Sequence, residues 1–174
     1  MRSVQVRKLV LAALLIAVGV VCSPLSIPVG ASKCFPVQHM VNVLAAVMLG
    51  PWYGTGMAFI TSLIRVLVGT GSLLAFPGSM CGALLCGLLY QRFKNLPLTY
   101  VGEVFGTSVI GGLLAYPVAT LIMSQEAALF AYVVPFLVST VGGTIIAAIL
   151  IFALKKTKVL DRFLNDSRNS KQTA

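Results

Sequence analysis

The sequence predicts an all-α integral membrane protein of six transmembrane helices with both termini in the cytoplasm. Three observations carry that reading: composition, the spacing of charge-free stretches, and the side on which basic residues gather. Hydrophobic residues make up 58% of the 174 residues and charged residues 10%, with a mean hydropathy of +0.97. A soluble domain carries about 25% charged and roughly 45–50% apolar residues. Too few polar side chains remain to clothe a globule in water. That excludes a soluble enzyme, a nucleic-acid-binding module and a disordered chain, despite the net charge of +9.

Five stretches contain no Asp, Glu, Lys or Arg: 9–32, 34–64, 66–91, 104–125 and 127–154. About 20 apolar residues cross a bilayer, so the first stretch and the last three hold one helix each. The second is the longest, and Gly50-Pro51 interrupts it. Proline removes a backbone donor and clashes with the preceding turn, so this stretch reads as two helices, over about residues 36–49 and 52–68.

The basic residues test that count. With Arg2, Arg7 and Lys8 in the cytoplasm, six crossings put Arg92, Lys94, Lys155, Lys156, Lys158, Arg162, Arg168 and Lys171 on the same side. Only Lys33 lies outside and Arg65 within a helix, which is the bias membrane insertion imposes. A single crossing over 34–64 would strand the C-terminal cluster outside. Residues 1–154 thus read as one transmembrane domain and 155–174 as a basic cytoplasmic tail. In that tail Val159, Leu160, Phe163 and Leu164 recur at helical spacing, suited to the inner membrane surface or to a cytoplasmic partner. The first helix is too long for a secretory h-region and lacks a small-residue cleavage site, so it reads as retained. The basic excess reads as anchoring beside anionic lipid, with no nucleic-acid partner.

Catalytic chemistry is poorly supplied. Cys22, Cys34, Cys81 and Cys86 form no C-x-x-C pair, and the single His has no carboxylate near it in sequence. No metal site, cofactor or Ser/His/Asp arrangement is expected. Ser79 in "PGSMCG" does not match a nucleophile elbow. Small residues pair at Ala13/Ala17, Gly78/Gly82, Gly102/Gly106 and Gly143/Ala147; such faces let helices approach closely in lipid, where apolar burial drives little association.

Polar residues inside the helices carry the functional signal, because hydrocarbon penalises them. Gln38, His39 and Asn42 share one face of the second helix at i, i+3 and i+4 spacing. Arg65 lies about 20 Å up the third helix, in the outer half of the bilayer. Ser72, Phe76 and Ser79 open the fourth helix, and Tyr116 and Tyr132 lie at similar outer depth. The candidate substrate-binding residues are Gln38, His39, Asn42, Arg65, Phe76, Ser79 and Tyr116. Other readings stay open: Gln38 as a helix cap, His39 with Asn42 as interhelical hydrogen bonding, Arg65 snorkelling outward, and Tyr116 and Tyr132 as interfacial belt residues, the reading favoured for Tyr132. Glu103 sits near the inner end of its helix, too far from Arg65 for an ion pair, and is expected to serve the cytoplasmic side.

The stretches "FPVQHMVNVLAAVMLGPWYG" at 35–54 and "GTGSLLAFPGSMCGALLCGLLY" at 69–90 resemble the ThiW family. These are substrate-binding S components of energy-coupling factor transporters, assigned to hydroxyethylthiazole, the thiazole moiety of thiamine. The resemblance implies an S-component bundle in a prokaryotic plasma membrane. It would capture a vitamin precursor from outside and associate with a transmembrane coupling subunit and two cytoplasmic ATPases. It also implies that Ala13 and Ala17 contact the coupling subunit. One departure is Val66 after Arg65, where a polar Asn is expected. The sequence contains no G-x-x-x-x-G-K-[ST] loop, so ATP hydrolysis falls to partners. A neutral thiazole alcohol gives Arg65 no obvious role. Two further readings are an S component for another thiamine-related or small anionic precursor, and an autonomous secondary transporter with Glu103 as its coupling carboxylate.

The topology is testable directly. Cysteines introduced at position 30 and in the 124–127 loop label from outside intact cells, and one introduced at position 95 does not; labelling at 95 would overturn the six-crossing arrangement.

Overall fold

A computed structural model describes residues 2–29, 32–158 and 160. Among them the chain forms six helices and one short hairpin: α1 (Arg2–Val21), β1 (Ile27–Val29), β2 (Ser32–Cys34), α2 (Pro36–Met48), α3 (Pro51–Leu67), α4 (Ala75–Phe93), α5 (Leu96–Ile122) and α6 (Val133–Lys156). The proposed amphipathic tail falls largely outside the described residues.

The boundaries follow local chemistry. The Gly50-Pro51 break is where the sequence places it: Gly50 adopts φ 92°, which a side chain would resist, and Pro51 opens α3 with its preset φ. Between α4 and α5 the turn is tight, with Lys94 in the left-handed region and the Asn95 side chain capping the Leu98 amide. The first charge-free stretch departs from expectation. Only its first part is helical, because Pro24 disfavours helix at Ser23. The later part supplies the antiparallel hairpin, in register Ile27↔Cys34. Two links pin the hairpin's end to the start of α6: Cys34 Sγ donates to the Pro135 carbonyl at 3.1 Å, and the Phe35 amide donates to Ser139 Oγ at 2.7 Å. Burial raises the Cys34 thiol above its ordinary range, which keeps it a neutral donor.

Helix α2 occupies the centre, packed against α1, α3, α4, α5 and α6. Val41, Val43, Ala45 and Ala46 are fully buried on it. The small-residue faces predicted on α4 and α5 meet each other. A Cβ on Gly106 would stand 2.8 Å from the Cys81 carbonyl oxygen, and one on Gly82 would collide with Thr107. Just there α5 widens into π-helical turns at Gly106–Gly111 and again at Val118–Ile122, after Pro117. A π turn marks a local insertion in the helix and recurs at functional sites.

Burial is inverted relative to a water-soluble fold. Trp52, Leu121 and Phe152 are at least 70% exposed, while Arg65, Asn42, Glu103, Thr61 and Thr99 are buried. Apolar exterior and polar interior together describe a membrane protein. By length and composition, α5 and α6 are apolar enough to cross a bilayer, whereas α2 has 13 residues, or about 20 Å.

Candidate functional site

Polar side chains on three helices, with one main-chain carbonyl of a fourth, join into one chain of hydrogen bonds through the interior. Arg65 Nη1 on α3 donates to Gln38 Oε1 on α2 at 3.2 Å. Gln38 Nε2 donates to Asn42 Oδ1 at 3.3 Å, one helical turn along. Asn42 Nδ2 then donates to Glu103 Oε1 on α5 at 3.1 Å and to the Ser79 carbonyl on α4, also at 3.1 Å. Each amide accepts with its oxygen and donates with its nitrogen, so both dipoles run from the cation toward the carboxylate. Arg65 and Glu103 form an ion pair relayed through two amides.

Glu103 Oε1 collects two more bonds, from Thr107 Oγ1 at 3.3 Å and with His39 Nδ1 at 3.0 Å. An oxygen already accepting from Asn42 and Thr107 cannot also hold a proton for His39. Nδ1 therefore carries the hydrogen, and in the neutral ring Nε2 is left as an acceptor. Among the described residues Nε2 has no hydrogen-bond partner. Nearby, Ser62 and Ser79 hydroxyls pair at 2.9 Å across α3 and α4.

A cavity of about 30 Å³ adjoins this chain. Gln38, His39 and Arg65 form its polar wall, with Ser72, Ser79, Thr107 and Ser139 around it. Phe35 and Phe136 supply aromatic surface, and the Phe35 ring lies 3.8 Å from the Arg65 guanidinium carbon. This is a face-on cation–π contact in a dry setting.

The structure brings Gln38, His39, Arg65 and Ser79 to the cavity, with Asn42 bonded directly behind them. Phe76 and Tyr116 are not among its lining residues. Phe76 packs instead on Phe59 of α3, which is 43% exposed, with ring centroids 5.4 Å apart. The start of α4 is rotated so that Ala75, Gly78 and Ser79 face inward. Tyr116 is half-buried, and Ala115 and Ala119 are the residues of that segment buried inside. Tyr132 is no belt residue: it is buried against Phe136, Leu74 and Ala119. Glu103 lies within the polar chain, bonded to His39, Asn42 and Thr107, and as expected makes no direct contact with Arg65. Its signal was a lone carboxylate in an apolar helix with Thr107 one turn on, but the partner helix is invisible in sequence. Phe35, Thr107, Phe136 and Ser139 were missed as well, although Phe35 opens one of the quoted stretches. Ala13 and Ala17 are exposed on α1, and Ala13 borders an apolar groove between α1 and α3 with Trp52 and Tyr53.

The family model of the thiamine-precursor transporter protein (ThiW) matches residues 9–157. The chain belongs to the ThiW family. No curated protein and no solved structure matches it. ThiW is a family of thiamine-precursor transporters. The match spans all six helices, so the cavity and the groove at Ala13 both lie on the family's own framework.

The relayed ion pair makes a thermodynamic prediction. Glu103→Leu leaves Arg65 as a buried uncompensated charge and lowers stability by about 3–5 kcal/mol. The double variant Arg65→Leu/Glu103→Leu recovers part of that loss, with a coupling of about 0.5–3 kcal/mol although the two never touch. Denaturant unfolding in detergent measures the cycle; strict additivity would refute the relay.

Proposed function

We propose that this ThiW protein is the substrate-capture subunit of an energy-coupling factor importer, taking hydroxyethylthiazole from outside for ATP-driven uptake. In this reading it spans a prokaryotic plasma membrane six times with both termini in the cytoplasm. The observation that carries it is a buried hydrogen-bonding cavity, walled by Phe35 and Phe136, inside an apolar helical exterior. Ligand sites of this kind pair an apolar enclosure with a few placed polar groups.

The ligand chemistry matches the walls. A thiazole offers a flat apolar face for Phe35 or Phe136. Its hydroxyl donates to His39 Nε2, which the Glu103 bond leaves bare, and its acceptors face the Arg65 N–H groups. At about 30 Å³ the cavity holds little more than water, so the ring enters as the walls part. Binding energy then comes from groups already oriented by the relay, which cuts the cost of ordering them.

Delivery in this reading needs partners. The groove bordered by Ala13, Trp52 and Tyr53 is the surface offered to a transmembrane coupling subunit, and two cytoplasmic ATPases supply the energy. Glu103 Oε1 is engaged by His39, Asn42 and Thr107, which ties this carboxylate into the helix packing, while its Oε2 is buried without a hydrogen-bond partner among the described residues.

Calorimetric titration of the purified protein with hydroxyethylthiazole tests the capture step. His39→Ala and Asn42→Ala each weaken binding by about 1–3 kcal/mol, the cost of leaving a buried polar group unpaired. Wild-type affinity in both variants would remove the site from this cavity. A second test separates capture from coupling: Ala13→Trp or Ala17→Trp abolishes uptake in cells while the isolated subunit keeps its affinity, because bulk on a small-residue face blocks helix contact. Joint loss of both activities would place the pair in the internal core instead.

A further inference from the structure

We infer that the ligand of this cavity carries an oxoanion, a carboxylate or phosphoryl group, held by the side-on fork of Arg65. The inference rests on the thiazole reading of the same site and departs from it in one respect: the thiazole taken up is an anionic form and not the neutral alcohol. Arg65 is 1% exposed, and only its Nη1 has a protein partner, Gln38. Its Nε and Nη2 are buried without any hydrogen-bond partner among the described residues. Those two nitrogens share one edge of the guanidinium. Their N–H bonds run parallel at the spacing of the two oxygens of a carboxylate or phosphate. The vacancy is therefore one complete bidentate seat, not two scattered gaps.

The surroundings favour an anion. Phe35 covers a face of the guanidinium at 3.8 Å and leaves its edge as the way in. Lys33 lines the same cavity, and no Asp or Glu is among its lining residues. Glu103, the carboxylate that balances Arg65, is reached only through two amides and spends Oε1 on three other donors. A buried guanidinium with an open fork is costly to hold, and a neutral ring nitrogen could fill only one of its two positions. A small aromatic ring bearing one oxoanion fills the fork completely.

The test compares hydroxyethylthiazole, its phosphate ester and 4-methylthiazole-5-acetate by calorimetry on the purified full chain. At least one oxoanion form binds about tenfold or more tightly than the alcohol, as charge-assisted bidentate bonds require. Arg65→Gln erases the margin between oxoanion and alcohol, whatever it does to the alcohol's own affinity; Arg65→Lys, which keeps charge without the fork, retains part of it. Gel filtration and circular dichroism confirm that both variants stay folded, and if Arg65→Gln does not, the Arg65→Lys loss decides. Equal or tighter binding of the alcohol than of both anions would overturn the inference. Should no thiazole bind, the thiazole reading fails, and the fork is judged on acetate and inorganic phosphate. Thermal stabilisation of the wild type by either anion, reduced in Arg65→Lys, upholds it; no stabilisation by either, or equal stabilisation of both proteins, overturns it.

Discussion

A charge buried in an apolar bundle must find its counter-charge, and this chain solves the problem at a distance. Arg65 and Glu103 lie on α3 and α5, which α2 and α4 separate. Gln38 and Asn42, one turn apart on α2, span the gap with aligned amides. Desolvating two ions costs several kcal/mol each unless good geometry returns it. Much of the interior is arranged to supply that geometry. The relay needs α2 at the centre, so α2 is buried on nearly every side and carries small residues such as Ala45 and Ala46. It needs Glu103 close to α2, so α4 and α5 approach at glycines where a Cβ would collide.

The same arrangement orients the groups that line the cavity. Glu103 sets the tautomer of His39, a residue of the cavity wall, and leaves its Nε2 as an acceptor. Gln38 holds one nitrogen of Arg65 and leaves its other edge open. Phe35 is fixed over the guanidinium because the Ser139 hydroxyl takes its amide proton and Cys34 beside it bonds Pro135. In the proposed reading structural need and ligand recognition draw on one network, the polar groups of the cavity wall being oriented by other buried groups behind them.

The π-helical turns of α5 belong to this logic. Glu103 and Thr107 sit i, i+4 at the edge of the first π segment, and Thr107 donates to Glu103 while also lining the cavity. Widening the helix at Gly106–Gly111 shifts which residues face α4 beyond that point.

Sequence by itself determined the membrane character, the helical class, the Gly50-Pro51 break and the polar face of α2. Each rests on composition or on spacing along one helix, and those are local properties. The resemblance to ThiW was legible in the stretches 35–54 and 69–90, and the family match over residues 9–157 agrees with it. The number of crossings rests on the charge pattern alone. Tertiary structure decided what the polar residues do to one another. The rotation of α4 turned Phe76 outward and Ser79 inward, the packing of Tyr132 on Phe136 took it from the interface into the core, and Phe35 came over Arg65 only through its tie to α6. Above all, the approach of α5 to α2 joined Glu103 to His39 and Asn42, more than sixty residues away in the chain. No periodicity records such a meeting, because helix phase and neighbour are set by how small residues on separate helices interlock.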